Sequence, residues 1–226
     1  MMKILALDTS SAVCSVAVSE GDSIKSEINV DCRRTHSELL MPLVEACMNY
    51  AGWKAEEIDL LAVSAGPGSF TGVRIGMCAA KAMAQALGRQ VAVVDTLEAL
   101  AQNAAGFGGV VCPIIDARKG QVYYAGFQKE QRLWEDGAGH IDQVLQRLEG
   151  RQALFVGDGA VALREYIAER LGDRAVFAPG SQVYQRAAAV AVVASRMAEE
   201  QRLVSPEEAA PNYIRESGAV RKKMGK

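Results

Sequence analysis

Two apolar runs in this chain each end on an aspartate: Leu5-Ala6-Leu7-Asp8 near its start and Pro113-Ile114-Ile115-Asp116 at its middle. Each is followed by a small or polar turn and a second apolar run, so one strand–turn–strand signature occurs twice. A pattern repeated at this distance calls for two equivalent units, which makes each half a guide to the other.

In the first half, strands are predicted at 4–7, 14–18 and 23–30, separated by a Ser-rich turn and by Glu20-Gly21-Asp22. Thr35-His36-Ser37-Glu38 has the form of a capping box, and the helix it opens should run to about Tyr50, with Gly52 past its end. The continuous apolar run 58–64 suits a buried parallel strand. A Gly-rich turn, a helix over 72–87, a strand over 91–94 and an Asp95-capped helix over 96–105 complete the half.

After Gly106-Phe107-Gly108-Gly109 the order recurs, with strands at 110–115, 122–127 and near 132–135. Ile141, Val144, Leu145 and Leu148 lie at i, i+3, i+4 and i+7 and mark an amphipathic helix that Gly150 stops. A strand at 153–156, a helix over 160–171, a short strand at 175–177 and an Ala/Val-rich helix over 182–200 follow. Each half therefore reads βββαβαβα, which predicts an α/β protein of two mixed sheets with helices on their faces and a cleft between them. The boundaries read as 1–106 and 107–211, with a basic tail at 212–226.

At 50% hydrophobic and 23% charged, the 226 residues have the make-up of a globular protein. Apolar runs such as 60–63 and 187–194 are too short to span a bilayer, and the start lacks a secretory h-region, so a cytoplasmic protein is expected. Cys14, Cys32, Cys47, Cys78 and Cys112 have no C-x-x-C spacing, which favours buried thiols over disulfides or a zinc site. The tail carries Arg215, Arg221, Lys222, Lys223 and Lys226 against Glu216, a surplus of four that leaves the rest of the chain at −6. It reads either as a solvated end or as a weak nucleic-acid contact.

Asp8, Thr9 and Ser10 sit at a carboxyl strand end, where an open α/β sheet places ligands; they could serve a phosphate or metal, or form an ordinary turn. Gly66-Pro67-Gly68-Ser69-Phe70-Thr71-Gly72 joins a strand to a helix N-terminus and has the same two readings, with Gly66, Gly68 and Ser69 as the anion-binding positions. It matches neither the P-loop nor the dinucleotide fingerprint. Asp116 and the turn Gly157-Asp158-Gly159 are their counterparts in the second half.

The helix after the glycine loop is apolar nearly all round, with Arg74, Lys81 and Gln85 as its only strongly polar residues. Gly72, Gly76 and Ala80 recur at every fourth residue, so either another helix approaches that face or the helix is buried in its own domain. The capped helix has two apolar stripes, one of His36, Leu40, Val44 and Cys47, the other of Leu39, Leu43, Ala46 and Tyr50. That surplus points to a subunit interface. Catalytic chemistry is sparse. His36 and His140 are the only histidines, and neither H-E-x-x-H nor G-x-S-x-G occurs.

Taken together, the segments 3–10, 35–38, 65–76, 113–119 and 211–215 resemble the bacterial TsaB (YeaZ) family, whose members assist in making threonylcarbamoyladenosine in tRNA. The match runs from Lys3 to Arg215. The resemblance implies an actin-like ATPase fold of the sugar kinase and heat-shock protein group, with ribonuclease H-like sheets. It also implies a non-catalytic partner of the related transferase TsaD, which modifies N6 of adenosine 37 in tRNAs reading codons that begin with A. TsaD holds its metal with a His-x-x-x-His pair, and Thr96 and Leu100 stand at those positions here, where neither can replace an imidazole.

In the family two helices pair with the catalytic subunit, and an ATPase, TsaE, joins them. By that likeness His36, Leu39, Leu40, Leu43, Val44, Cys47, Gly72, Gly76, Ala80 and Met83 are expected to face the partner, or a second copy of this chain when it is alone. A charge at Leu43 or Gly76 should then split the complex and leave the monomer folded. No cofactor is expected to be required by this chain, with ATP or ADP at most a ligand of the assembled complex. The rival reading is a small-molecule kinase of the same fold, with Asp8 and Asp116 holding metal and phosphates.

Overall fold

The computed structural model describes residues 1–31, 34–118, 120–148 and 150–214; Cys32, Lys119 and the tail from Arg215 onward lie outside them. In the first half the elements are β1 (Lys3–Asp8), β2 (Val13–Glu20), β3 (Ser23–Asp31), α1 (His36–Ala51), β4 (Leu60–Ser64), α2 (Phe70–Leu87), β5 (Gln90–Val94) and α3 (Thr96–Gln102). The second half repeats the order with β6 (Val110–Asp116), β7 (Val122–Gln128), β8 (Gln131–Gly139), α4 (Ile141–Arg147), β9 (Ala153–Val156), α5 (Asp158–Ala162), α6 (Arg164–Leu171), β10 (Ala175–Phe177) and α7 (Ala187–Glu199).

The two sheets have one topology. Their strand orders are β3-β2-β1-β4-β5 and β10-β9-β6-β7-β8, each with the aspartate-ended strand at its centre. Three strands pair antiparallel and three parallel around that centre in both halves. The duplicated βββαβαβα order is therefore realised. The predicted helix over 160–171 divides at Leu163, whose backbone (φ −107°, ψ 14°) leaves the helical region. The last helix begins at Ala187, not at 182, because the carbonyls of Gln182, Val183 and Tyr184 are taken by Asn103 and by the Gly157 amide.

Alternation along the first sheet separates two cores. Leu5, Leu7, Val16, Val18, Leu61 and Val63 face α1 and α2. Ile4, Ala6, Ala17, Leu60, Ala62, Ala92 and Val94 face the other way, onto α7. Alanines on the strands meet Ala187, Val190, Ala191 and Ala194 on the helix, so the helix axis can approach the sheet closely. Conversely, Leu97, Leu100, Ala101 and Ala104 at the end of the first half pack with Val111, Ile115, Ala125 and Phe127 of the second sheet. The final helix of each half thus lies on the other half's sheet.

The local signals for α1 hold. The Glu38 carboxylate accepts the Thr35 amide at 2.9 Å, and Gly52 ends the helix in the left-handed region at φ 71°. At α2, Ser69 caps by accepting the Gly72 amide at 3.2 Å. Cys14, Cys47 and Cys112 are buried, as the spacing argument expected, whereas Cys78 is exposed on α2. No helix among the described residues is long and apolar enough to cross a membrane.

Candidate functional site: the aspartate turns and the paired helices

Asp8 closes β1 and is 1% exposed. Its Oδ1 accepts the Ser10 amide (2.9 Å) and hydroxyl (2.6 Å), and its Oδ2 accepts the Ser64 hydroxyl (2.5 Å). Burial pushes the Asp8 carboxyl above the ordinary carboxylate range, against the hydrogen bonds from Ser10 and Ser64 that pull it down. Ser64 was missed in the sequence, where its signal was a lone polar residue closing an apolar strand.

The glycine motif is built around this turn. A Cβ at Gly72 would stand 2.0 Å from the Thr9 carbonyl oxygen, one at Gly68 2.4 Å from that of Ser10, and one at Gly76 2.5 Å from Thr9 Oγ1. Thr9 Oγ1 donates to the Gly72 carbonyl at 2.7 Å, and the Ser69 amide donates to Ser10 O at 2.7 Å. The structure therefore brings Asp8, Thr9, Ser10, Gly68 and Ser69 together, and the Ser10, Ser69 and Gly72 amides already have partners within the chain. Gly66 faces a different neighbour: its amide donates to Thr96 Oγ1 at 3.1 Å, and a Cβ there would meet the Asn212 carbonyl at 2.5 Å.

His36 reaches the same turn, with Nε2 2.7 Å from the Ser11 carbonyl. A carbonyl only accepts, so Nε2 carries the proton; Nδ1 is buried without a hydrogen-bond partner among the described residues.

The second half repeats the device. The Asp158 carboxylate accepts the Asp116 amide (3.0 Å) and the Gly159 amide (2.8 Å), while Gly157 and Gly159 press on Ile114, where a Cβ at Gly157 would meet its carbonyl at 2.1 Å. Burial raises the Asp158 carboxyl above its ordinary range. Asp158, between the two glycines that mark this turn in the sequence, supplies its carboxylate. Asp116 itself is exposed, and its Oδ1 accepts the Arg118 amide at 2.7 Å.

Replacing Asp8 with alanine leaves two hydroxyls and an amide without their acceptor in a buried site. Each such group costs about 1–3 kcal/mol, so a loss of at least about 2 kcal/mol is expected. The midpoint of urea unfolding measures it, and a midpoint equal to the parent's would refute the account.

The partner-facing assignment needs correction. Leu39, Leu40, Val44 and Cys47 on α1, and Gly72, Gly76 and Ala80 on α2, are buried in this chain's own core. The glycine stripe of α2 docks the Thr9 turn and Val63, not a foreign helix. A charge at Gly76 would therefore disrupt the monomer. His36, Leu43 and Met83 are half-buried. The outward stripe runs through Leu43, Ala46 and Tyr50 on α1 and Ile75, Ala79, Ala82 and Met83 on α2; Tyr50 is 80% exposed. The two helices lie side by side on one face of the first sheet.

At the positions the resemblance singled out, Thr96 is fully buried, with its amide 2.9 Å from the Gly66 carbonyl, and Leu100 is 1% exposed in the core against the second sheet. Asp95 caps α3 by accepting the Glu98 amide at 2.8 Å.

Residues 30–223 match the family model of TsaD, described as tRNA N6-adenosine threonylcarbamoyltransferase. A tRNA threonylcarbamoyladenosine biosynthesis protein TsaB of Escherichia coli (strain K12) is 32% identical over 237 residues, covering 100% of both chains. The chain belongs to the TsaB family. Its fold agrees: the structure of YeaZ from Pseudomonas aeruginosa superposes with a TM-score of 0.81 at 29% identity, over 95% of this chain and 100% of that one. A ROK hexokinase from Thermus thermophilus, at TM-score 0.52 and 13% identity, shares the actin-like ATPase fold alone. The family's members in Bacillus subtilis and Escherichia coli are named as tRNA threonylcarbamoyladenosine biosynthesis proteins.

Proposed function

We propose that this chain is the non-catalytic subunit of a threonylcarbamoyl transferase assembly that acts on N6 of adenosine 37 in tRNAs reading codons that begin with A. It binds the catalytic paralogue TsaD through α1 and α2, works with the ATPase TsaE, and meets tRNA through the complex in the cytoplasm. Without its partner the same helix pair joins two copies of the chain. Nucleotide, where it takes part, belongs to the assembly and is not a cofactor this chain requires.

The observation that carries this reading is the packing at Thr96 and Leu100. Where the paralogue presents two imidazoles, this chain has a hydroxyl tied to Gly66 and a leucine in the core. Neither side chain is a ligand for a catalytic metal, and neither is free to move into a cleft. The outward apolar stripe of α1 and α2 then supplies what a supporting subunit needs, a surface to be covered.

The test is an omission assay: threonylcarbamoyladenosine formed on tRNA by TsaD, TsaE and the enzyme that makes the adenylate, with and without this chain. Product only when the chain is present, and none from the chain alone, is the expected result. Equal product in its absence, with no binding to TsaD, would sink the reading and bring forward the kinase alternative.

A further inference from the structure

Six charged side chains meet where the two exchanged helices cross. Asp95 and Glu98 come from the N-cap and first turn of α3, Arg132 and Asp136 from β8, Glu130 from the β7–β8 turn and Arg196 from α7. Arg132 pairs with Asp136 and lies 3.4 Å from Asp95 and 3.9 Å from Glu98. Arg196 pairs with Glu130 and extends its second nitrogen to 3.7 Å from Glu98. Four carboxylates thus share two guanidinium groups. Side-chain exposures of 16% for both Asp95 and Asp136 keep water and salt from screening the surplus.

The cluster joins parts that otherwise belong to different packing units. Arg196 rides on the helix that covers the first sheet, Glu98 on the helix that covers the second, and Arg132 and Asp136 on the second sheet's edge strand. We propose that this cluster is a proton-sensitive clasp: a proton shared by Asp95 and Asp136 holds β8 against the start of α3, and its departure loosens the contact at the crossover of the two halves.

Asp95 and Asp136 are the most shielded of the four carboxylates and face the same Arg132 guanidinium, so a proton on Asp95 relieves their repulsion. Burial, then the hydrogen bond and charge of Asp136, push the Asp95 carboxyl up to about 7, against the Glu98 amide and Arg132. Because the folded value lies above the ordinary value of the unfolded chain, the contact is fully held at acid pH and is lost as pH rises through about 7. His140, directly after β8, pairs with Asp142 outside the cluster and is unaltered in the variants below, which makes it an internal control.

The experiment is hydrogen exchange of the β8 amides and the first turn of α3 in the full chain, corrected for intrinsic rates. Opening should increase about tenfold or more between about pH 6 and about pH 8.5. Asp95→Asn keeps the helix cap and offers Asp136 a permanent donor, so its exchange should be flat with pH. Asp136→Asn, which removes the shared proton's second acceptor, should be flat as well and serves if the first variant does not fold. A parent whose corrected protection ignores pH, or a folded variant that keeps the parent's slope, would overturn the proposal.

Discussion

Gly72→Ala should cost this protein roughly 3–5 kcal/mol, a fall of about 10 °C or more in unfolding temperature. The added Cβ would sit 2.0 Å from the Thr9 carbonyl oxygen, and backbone cannot rotate aside as a side chain can. Relief requires α2 to slide off β4 or the β1–β2 turn to shift, and either motion breaks the bond from Thr9 Oγ1 to the Gly72 carbonyl. Overpacking of an ordinary core costs about 1–3 kcal/mol; a contact with fixed backbone belongs above that range. Gly76→Ala should be milder, because its nearest atom is the Thr9 hydroxyl at 2.5 Å. Gly108→Ala, where nothing lies within 4 Å, is the neutral control. Thermal unfolding followed by circular dichroism decides the matter: a change under about 2 °C at Gly72 would mean that the glycines serve something other than the close approach of α2 to the turn.

The same contact explains what could and could not be read from the chain. The duplicated aspartates placed both central strands, since a carboxylate at a strand's carboxyl end needs donors there and finds them at Ser10 and Ser64 in one half and at Arg118 in the other. Caps were legible because Thr35, Glu38, Asp95 and Gly52 act on neighbours within a few residues. Glycines spaced by four say only that something comes close to a helix; whether it is a partner helix or the chain's own turn depends on Thr9, sixty-three residues earlier. The exchange of α3 and α7 between sheets was hidden for a similar reason, because the order of elements does not say which sheet a helix covers. Its trace was the set Ala6, Ala17, Ala62 and Ala92, small residues that share one face of the first sheet only once the strands are paired.

Glutamate at Leu43 together with glutamate at Ala82 should abolish assembly with the catalytic paralogue while the monomer stays folded. Ala82 is exposed and Leu43 only half-buried, so in the free chain both carboxylates can reach water, and a fall of no more than about 5 °C in unfolding temperature is expected. In a complex that covers the stripe from Leu43 to Tyr50 and from Ile75 to Met83, two charges would be taken out of water with no cation to meet them. An unpaired buried charge costs about 3–5 kcal/mol, so affinity should drop by a factor of at least about one hundred. Product in the omission assay should fall in parallel, and a homodimer joined through the same helix pair, as proposed for the isolated chain, should dissociate on size-exclusion chromatography. Gly108→Ala, outside α1 and α2 with nothing within 4 Å of the added Cβ, should leave binding unchanged. If the double variant still binds the paralogue within about threefold of the parent, the outward stripe is not the contact surface. The supporting role would then have to be carried by another face of the molecule.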